Sequence, residues 1–276
     1  MTQHETGHDH GEDLADLLDL DAAILEDYLA TLTGWVAGHA PEGTRTIVDV
    51  GAGTGTGSLA LARRFPHATV HAVDRSPAML GRVEAAAAAH GLGARILPVH
   101  ANMDDAWPNL PAADLVWAAS SLHEFTDPKQ TLRNIRGALA PQGLLAVVEM
   151  DALPRYLPHD LGIGDPGLED RCHEVIATQG WNHHPDWAGP LRSAGYDVVA
   201  QRQFDTARDP APAGTGDYAA AYLGRIRTFL KDHLDAGDLA TLDRLLDPRD
   251  EASLWHRTDL RLSGTRTAWL ARAADS

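Results

Sequence analysis

Between Thr46 and Met150 the chain alternates short apolar runs with stretches of helical period, and this alternation restricts the fold more than any other feature. Residues 47–50, 69–73, 94–99, 114–118 and 144–150 read as strands, and 57–64, 77–90 and 128–139 read as the helices between them, two of these opening on Pro77 and Pro128. A strand followed by a helix and another strand returns by a right-handed crossover, so the expectation is an α/β fold with a doubly wound, mostly parallel sheet covered on both faces. After Met150 the rhythm breaks. Residues 151–184 hold Pro, Gly, His and Trp around a short helical stretch at 168–178, and read as an insertion. A helix at 185–194 and a strand at 196–204 resume the core pattern. A loop at 209–216 then leads into amphipathic helices at about 217–234 and 237–246, before a final strand at 265–271. Upstream, residues 1–13 carry no apolar period and are expected to form a disordered tail, while 14–36 predict two amphipathic helices broken near Asp19 to Asp21. The domain reading is one domain over 14–276. Residues 14–38 would form a helical lid, 44–150 the cofactor-binding core, and 151–187 and 209–250 helical cap insertions.

Composition narrows the function classes. Lys plus Arg number 23 against 39 Asp plus Glu, a formal net charge of −16, so a polyphosphate partner meets a repulsive average field and nucleic acid is not the expected substrate. Cys172 is the single cysteine and no basic segment followed by an apolar run opens the sequence, which together suggest a reducing, cytoplasmic setting. The apolar runs fall far short of the roughly 20 residues of a membrane helix. No membrane partner is expected, and monomer and homodimer both stay open.

The stretch from Ile47 to Gly57 (IVDVGAGTGTG) puts a glycine-rich turn between a buried strand and a helix, where bare backbone lets a ligand approach closely. Asp74 ends the next strand, where a carboxylate can accept both hydroxyls of a ribose. Nicotinamide dinucleotides use a related layout, but their G-x-G-x-x-G register started at Gly51 or Gly53 would need glycine where Thr56 and Ser58 stand. Asp49 argues the same way, since a carboxylate at the end of the first strand repels a pyrophosphate and attracts a cation. The ligand is expected to be a cationic nucleoside.

The sequence Val48-Asp-Val-Gly-Ala-Gly-Thr-Gly55 resembles motif I of class I S-adenosylmethionine-dependent methyltransferases, and Val73-Asp-Arg-Ser-Pro-Ala-Met-Leu80 resembles their acidic second motif. Residues 101–104 (Ala-Asn-Met-Asp) sit where that family brackets adenine, with Asn102 where Asp is usual. Residues 114–127 are similar to the fourth-strand motif of its small-molecule, ubiquinone and menaquinone type members, and 132–149 to the helix, turn and fifth strand that follow. The resemblance implies a Rossmann-like sheet of seven strands, the last antiparallel, with S-adenosyl-L-methionine as cofactor and S-adenosyl-L-homocysteine as product. It assigns Asp49, Gly51, Gly53 and Gly55 to the methionine end and Asp74 to the ribose. Arg75 and Met103 fall to the adenine face, Asn102 to its amine, the backbone at Ser120 to the closing of the methionine end, and Tyr28 to a lid.

Methyl transfer is a displacement in which the protein mainly aligns the reactants, and a base is needed only where the acceptor carries a proton. His123, just beyond the fourth strand, is the candidate for that base or for contact with the acceptor; its other reading is a loop histidine that shapes the pocket. Glu149, at the end of the fifth strand, would orient an amine or water, or cap a helix. Trp181, His183 and Tyr222 are further acceptor candidates in the cap segments. His159, Asp160, His173, His184 and Trp187 complete a polar and aromatic cluster there, but its spacing matches no metal frame, so no metal is expected. His4, His8 and His10 read as solvated. The functional expectation is methyl transfer to a small-molecule acceptor bound between the sheet edge and the cap. The alternatives are a catalytically silent S-adenosylmethionine-binding protein and a nicotinamide-dependent oxidoreductase. Whether O, N, C or S is methylated is not readable, because all four chemistries occur on this fold.

Overall fold

Every residue from Ile47 to Val50 is buried, so this segment can only lie inside a sheet covered on both sides. A computed structural model, which describes residues 6–180 and 185–274 and only the backbone of 6–13, places it there as β1 (Thr46–Val50). Among the described residues one seven-stranded sheet forms, in the order β3-β2-β1-β4-β5-β7-β6. Its other strands are β2 (Thr69–Asp74), β3 (Ile96–His100), β4 (Ala113–Ala119), β5 (Leu139–Met150), β6 (Tyr196–Asp205) and β7 (Thr265–Ala273). β1 pairs in parallel with β2 and β4, β2 with β3, and β4 with β5, while β7 runs antiparallel to β5 from Leu145↔Ala271 to Met150↔Arg266. The expected doubly wound, mostly parallel seven-stranded sheet is thus present. The strand order reverses between β1 and β4, and ligands of open α/β sheets bind beyond the carboxyl ends of the strands at such a switch point. Asp114 fixes the opposite end, its Oδ2 accepting the backbone N–H groups of Arg45 (2.8 Å) and Thr46 (3.0 Å).

The helices are α1 (Thr6–Ile24), α2 (Glu26–Ala37), α3 (Thr56–Arg64), α4 (Pro77–Ala89), α5 (Pro128–Ala138), α6 (Leu168–Gln179), α7 (Ala188–Ser193), α8 (Thr215–Phe229) and α9 (Ala236–Leu246). Two start from the expected prolines, and a side chain caps each: Ser76 accepts from the Met79 N–H and Asp127 from the Gln130 N–H. Helix α1 begins at Thr6, inside the segment read as a tail. The break between α1 and α2 falls at Leu25 rather than near Asp19 to Asp21. Asp21 does not stop the helix because its carboxylate has a tertiary partner, the Tyr218 hydroxyl at 2.5 Å. Strand β5 starts at Leu139, five residues early, by pairing with Ala113 before the register shifts.

The chain divides into two compact units. One holds described residues 26–151, 185–204 and 266–274, with a core of Val48, Val50, Val116, Leu132, Leu145 and Trp269 between sheet and helices. The other holds 6–25, 152–180 and 205–265. There the Tyr156 ring packs edge-on against Tyr218 (5.2 Å) and tilted against Tyr222 (5.4 Å), and Arg171 pairs with Asp238 at 2.6 Å. The Glu169 carboxylate accepts the N–H groups of Tyr156 and Leu157; burial nevertheless lifts its pKa to about 7. No described helix is long and apolar enough to cross a membrane.

Candidate cofactor and acceptor site

The turn after β1 is shaped by neighbours that leave no room for a side chain. Gly51 (φ 69°), Gly53 (φ 54°) and Gly55 (φ 92°) all occupy the left-handed region. A Cβ on Gly51 would stand 2.6 Å from the Ser121 Cβ. Ser121, buried just past β4, donates its hydroxyl to the Val50 carbonyl at 2.7 Å and so ties the two strand ends together at the switch point. Beside it Ser120 has φ 48°, a strained value for a non-glycine residue. The turn's own N–H groups face inward: those of Gly51 and Ala52 go to the Val73 carbonyl, and that of Gly53 to Asp74 Oδ2 at 2.9 Å. Asp74 Oδ1 takes the Ser76 N–H at 2.8 Å, so two lone-pair positions of this half-buried carboxylate remain for a ligand.

Asp49 is the last residue but one of β1 and is 3 % exposed. Its Oδ2 accepts the Ser58 hydroxyl at 2.6 Å. Helix α3 has no side-chain cap of its own at Gly55, so the strand carboxylate takes that place at its first turn. Burial lifts the Asp49 pKa to about 7 against the lowering hydrogen bonds from Ser58, and the Asp74 charge adds to the rise. A buried carboxylate held this high is poorly compensated and favours a cation. Gly57 lets α3 approach, since a Cβ there would meet Trp117 Nε1 at 3.0 Å and Asp49 Oδ2 at 3.2 Å.

At the neighbouring strand ends the structure joins His123 and Glu149. The His123 Nδ1 lies 2.7 Å from Glu149 Oε2, and its Nε2 lies 3.3 Å from Glu124 Oε1. Glu149 is 1 % exposed, and the Trp187 indole N–H reaches the same Oε2 at 3.5 Å. Ionised carboxylates can only accept, so a doubly protonated ring is the form of His123 that suits both contacts. Burial pulls its pKa down, but the bonds to Glu124 and Glu149 outweigh burial and bring it to about 9. In the doubly protonated form the ring has no lone pair with which to take a proton, which favours contact with the acceptor over the role of general base. Because the folded pKa exceeds the ordinary 6.5, the pair's stabilisation is complete below about pH 6.5 and is lost as pH rises through 9. Thermal melts of the native protein are expected to fall between pH 7 and 9.5. In Glu149→Gln that slope should flatten and the melting temperature drop by about 5 °C, since an opened buried pair costs several kcal/mol.

Of the other sequence candidates, Arg75, Asn102 and Met103 lie at the ends of β2 and β3, where the Ala101 N–H donates to the Asp74 carbonyl at 3.1 Å. Asn102 is exposed and tied locally, its amide N–H to Asp105 at 3.0 Å and its oxygen to the Asp104 N–H at 3.3 Å. Met103 is 4 % exposed and packs in the core with Val50 and Val73, turned inward rather than lying open for a ring. Arg75 is exposed at the end of β2. Tyr28, on α2, packs edge-on against Phe204 at 5.9 Å and under the Arg266 guanidinium at 5.2 Å. Arg266 is on β7, three strands from β1 and so about 14 Å away at ordinary strand spacing. Tyr28 therefore packs at the carboxyl edge of the sheet by β6 and β7, where Arg266 pairs with Met150 beside Glu149. Tyr222 is buried against Tyr156. Trp181 and His183 lie outside the described residues. Ser58, Ser121 and Trp187 were missed as site residues; the glycine register hinted at Ser121 only through the closeness it demands.

The sheet order, with β7 antiparallel beside β5, is the class I methyltransferase fold. Residues 47–143 match the family described as a methyltransferase domain. The trans-aconitate 2-methyltransferase of Pseudomonas aeruginosa is 35% identical over 143 residues, 46% of this chain and 48% of that protein. This chain spans about half the length of the curated relatives it matches. Among solved structures, a SAM-dependent methyltransferase from Geobacter sulfurreducens, in complex with S-adenosyl-L-homocysteine, superposes with TM-score 0.50 at 16% identity, covering 90% of each chain. A [4+2]-cyclase also superposes at TM-score 0.50, with 19% identity over 90% of this chain and 82% of its own. The sheet is thus shared by different chemistries, and activity must be argued from the site.

Proposed function

We propose that this protein is an S-adenosylmethionine-dependent methyltransferase acting on a small-molecule acceptor. The observation that carries the reading is the buried Asp49 carboxylate, lifted to a pKa of about 7 beside a bare glycine turn at the switch point, with Asp74 one strand away. Such a site fits a cationic nucleoside and disfavours a pyrophosphate. When bound, the cofactor supplies an electrophilic methyl group on a sulfonium. The chain's own part is then to hold the ammonium and sulfonium end near Asp49, the ribose at Asp74, and the acceptor at the β4 and β5 ends. The methyltransferase name of the relatives over this same stretch supports the reading, and their named substrate makes small carboxylic acids the first acceptors to try. The buried Cys172 thiol, pushed up to about 12 by burial, is compatible with residence in a reducing cytoplasm, which is part of the proposal.

The test is transfer of radiolabelled methyl from S-adenosylmethionine into panels of carboxylic acids, amines and phenols, with cofactor binding followed by calorimetry. A labelled product is expected. Tight cofactor binding without product across all panels would mean a silent binding protein; tight dinucleotide binding in its place would mean hydride transfer.

A further inference from the structure

His123 sits in the short helical turn Leu122–Glu124, directly after the Ser121 that ties β4 to the end of β1. Its two carboxylate contacts are unequal. The Glu149 contact is 2.7 Å and buried, whereas the Glu124 contact is 3.3 Å and its side chain is 62 % exposed. The Glu124 carboxyl is held below the ordinary carboxylate range, first by the His123 contact and in smaller part by the Arg75 charge, and stands mostly in water. One arm is part of the core and the other is replaceable.

We infer that Glu124 occupies an anion subsite which takes the carboxylate of an acidic acceptor. In this arrangement Glu149, supported by the Trp187 indole, is a positioning residue that keeps the imidazolium in place. The incoming carboxylate displaces Glu124 into solvent and accepts the Nε2–H in its stead. One carboxylate replaces another, so His123 keeps its proton and the charge opposite Glu149 stays balanced. The subsite calls for no base, because a carboxylate oxygen is a nucleophile that needs no deprotonation. The inference rests on the reading of this sheet edge as the acceptor end, but the subsite can be detected without the cofactor.

The experiment titrates succinate into the protein labelled with carbon-13 histidine, follows the His123 Cε1–H resonance assigned through His123→Asn, and measures S-adenosylmethionine affinity in parallel. A saturable shift of that resonance is expected in the native protein. In Glu124→Gln, succinate should bind about three- to fivefold more tightly, the scale of an exposed ion pair that no longer competes. Equal or weaker succinate binding in Glu124→Gln, or the same shift from chloride at equal ionic strength, would overturn the subsite. If succinate behaves as expected while S-adenosylmethionine does not bind, the subsite stands and the methyltransferase reading falls. If the cofactor binds and succinate does not, only the subsite is lost.

Discussion

Replacing Asp49 with asparagine is expected to raise the melting temperature of the ligand-free protein at pH 8 by a few degrees and to weaken S-adenosylmethionine binding about a hundredfold. Both effects have one origin. The folded carboxyl has its pKa lifted from 3.8 to about 7, so the folded state holds this proton more tightly than the unfolded chain. The native charge therefore costs stability above about pH 7, and that cost disappears as pH falls from 7 toward 4. Asparagine keeps an acceptor for the Ser58 hydroxyl and removes the buried charge. The loss of affinity is larger because a carboxylate in so dry a position is what a sulfonium or ammonium gains by entering. In the native protein, affinity should fall about tenfold per pH unit below pH 7 as Asp49 takes up its proton, and binding at pH 6.5 should release protons detectable by calorimetry in buffers of different ionisation enthalpy. Undiminished affinity in the variant would mean the cation is held elsewhere.

Gly51→Ala should destabilise the fold by about 3 kcal/mol, from two separable causes. The added methyl meets the Ser121 Cβ at 2.6 Å, an overlap of the overpacking kind, and φ 69° places an L-residue in the left-handed region. The double variant with Ser121→Gly removes the overlap and leaves the backbone strain, so about half of the loss should return in denaturant melts. No recovery would show that backbone conformation alone fixes this glycine. Ser121→Gly by itself frees the Val50 carbonyl and is expected to loosen the β1 and β4 ends with little global effect.

The sheet was legible because its strands are buried runs bounded by strong punctuation, such as the glycines after Val50 and the prolines opening α4 and α5. Local chemistry decided those positions. Where tertiary contact decides, the sequence misled: Asp21 looked like a helix stop until the Tyr218 hydroxyl gave its carboxylate a partner 197 residues away. The candidate site divides in the same way. Asp49 and Asp74 were readable from strand ends and glycine spacing. The state of His123 was not, because it depends on Glu149, 26 residues along and brought alongside only by the pairing of β4 with β5. A histidine at a strand end suggests a base; the same histidine between two carboxylates has its pKa raised to about 9, which favours the cation. Met103 and Tyr28 are assigned by likeness to a motif or a lid, and both are buried.

The position of β7 has a bearing on how the sheet is completed. It lies between β5 and β6 in space, yet it follows β6 in the chain after the whole segment 206–264. Until that segment has closed on itself, β5 ends the growing sheet with an open row of backbone donors and acceptors, and β6 has no strand to join. Pairing of β7 with β5 therefore closes a loop of that whole segment, so this flank is expected to form by a long-range step governed by loop closure.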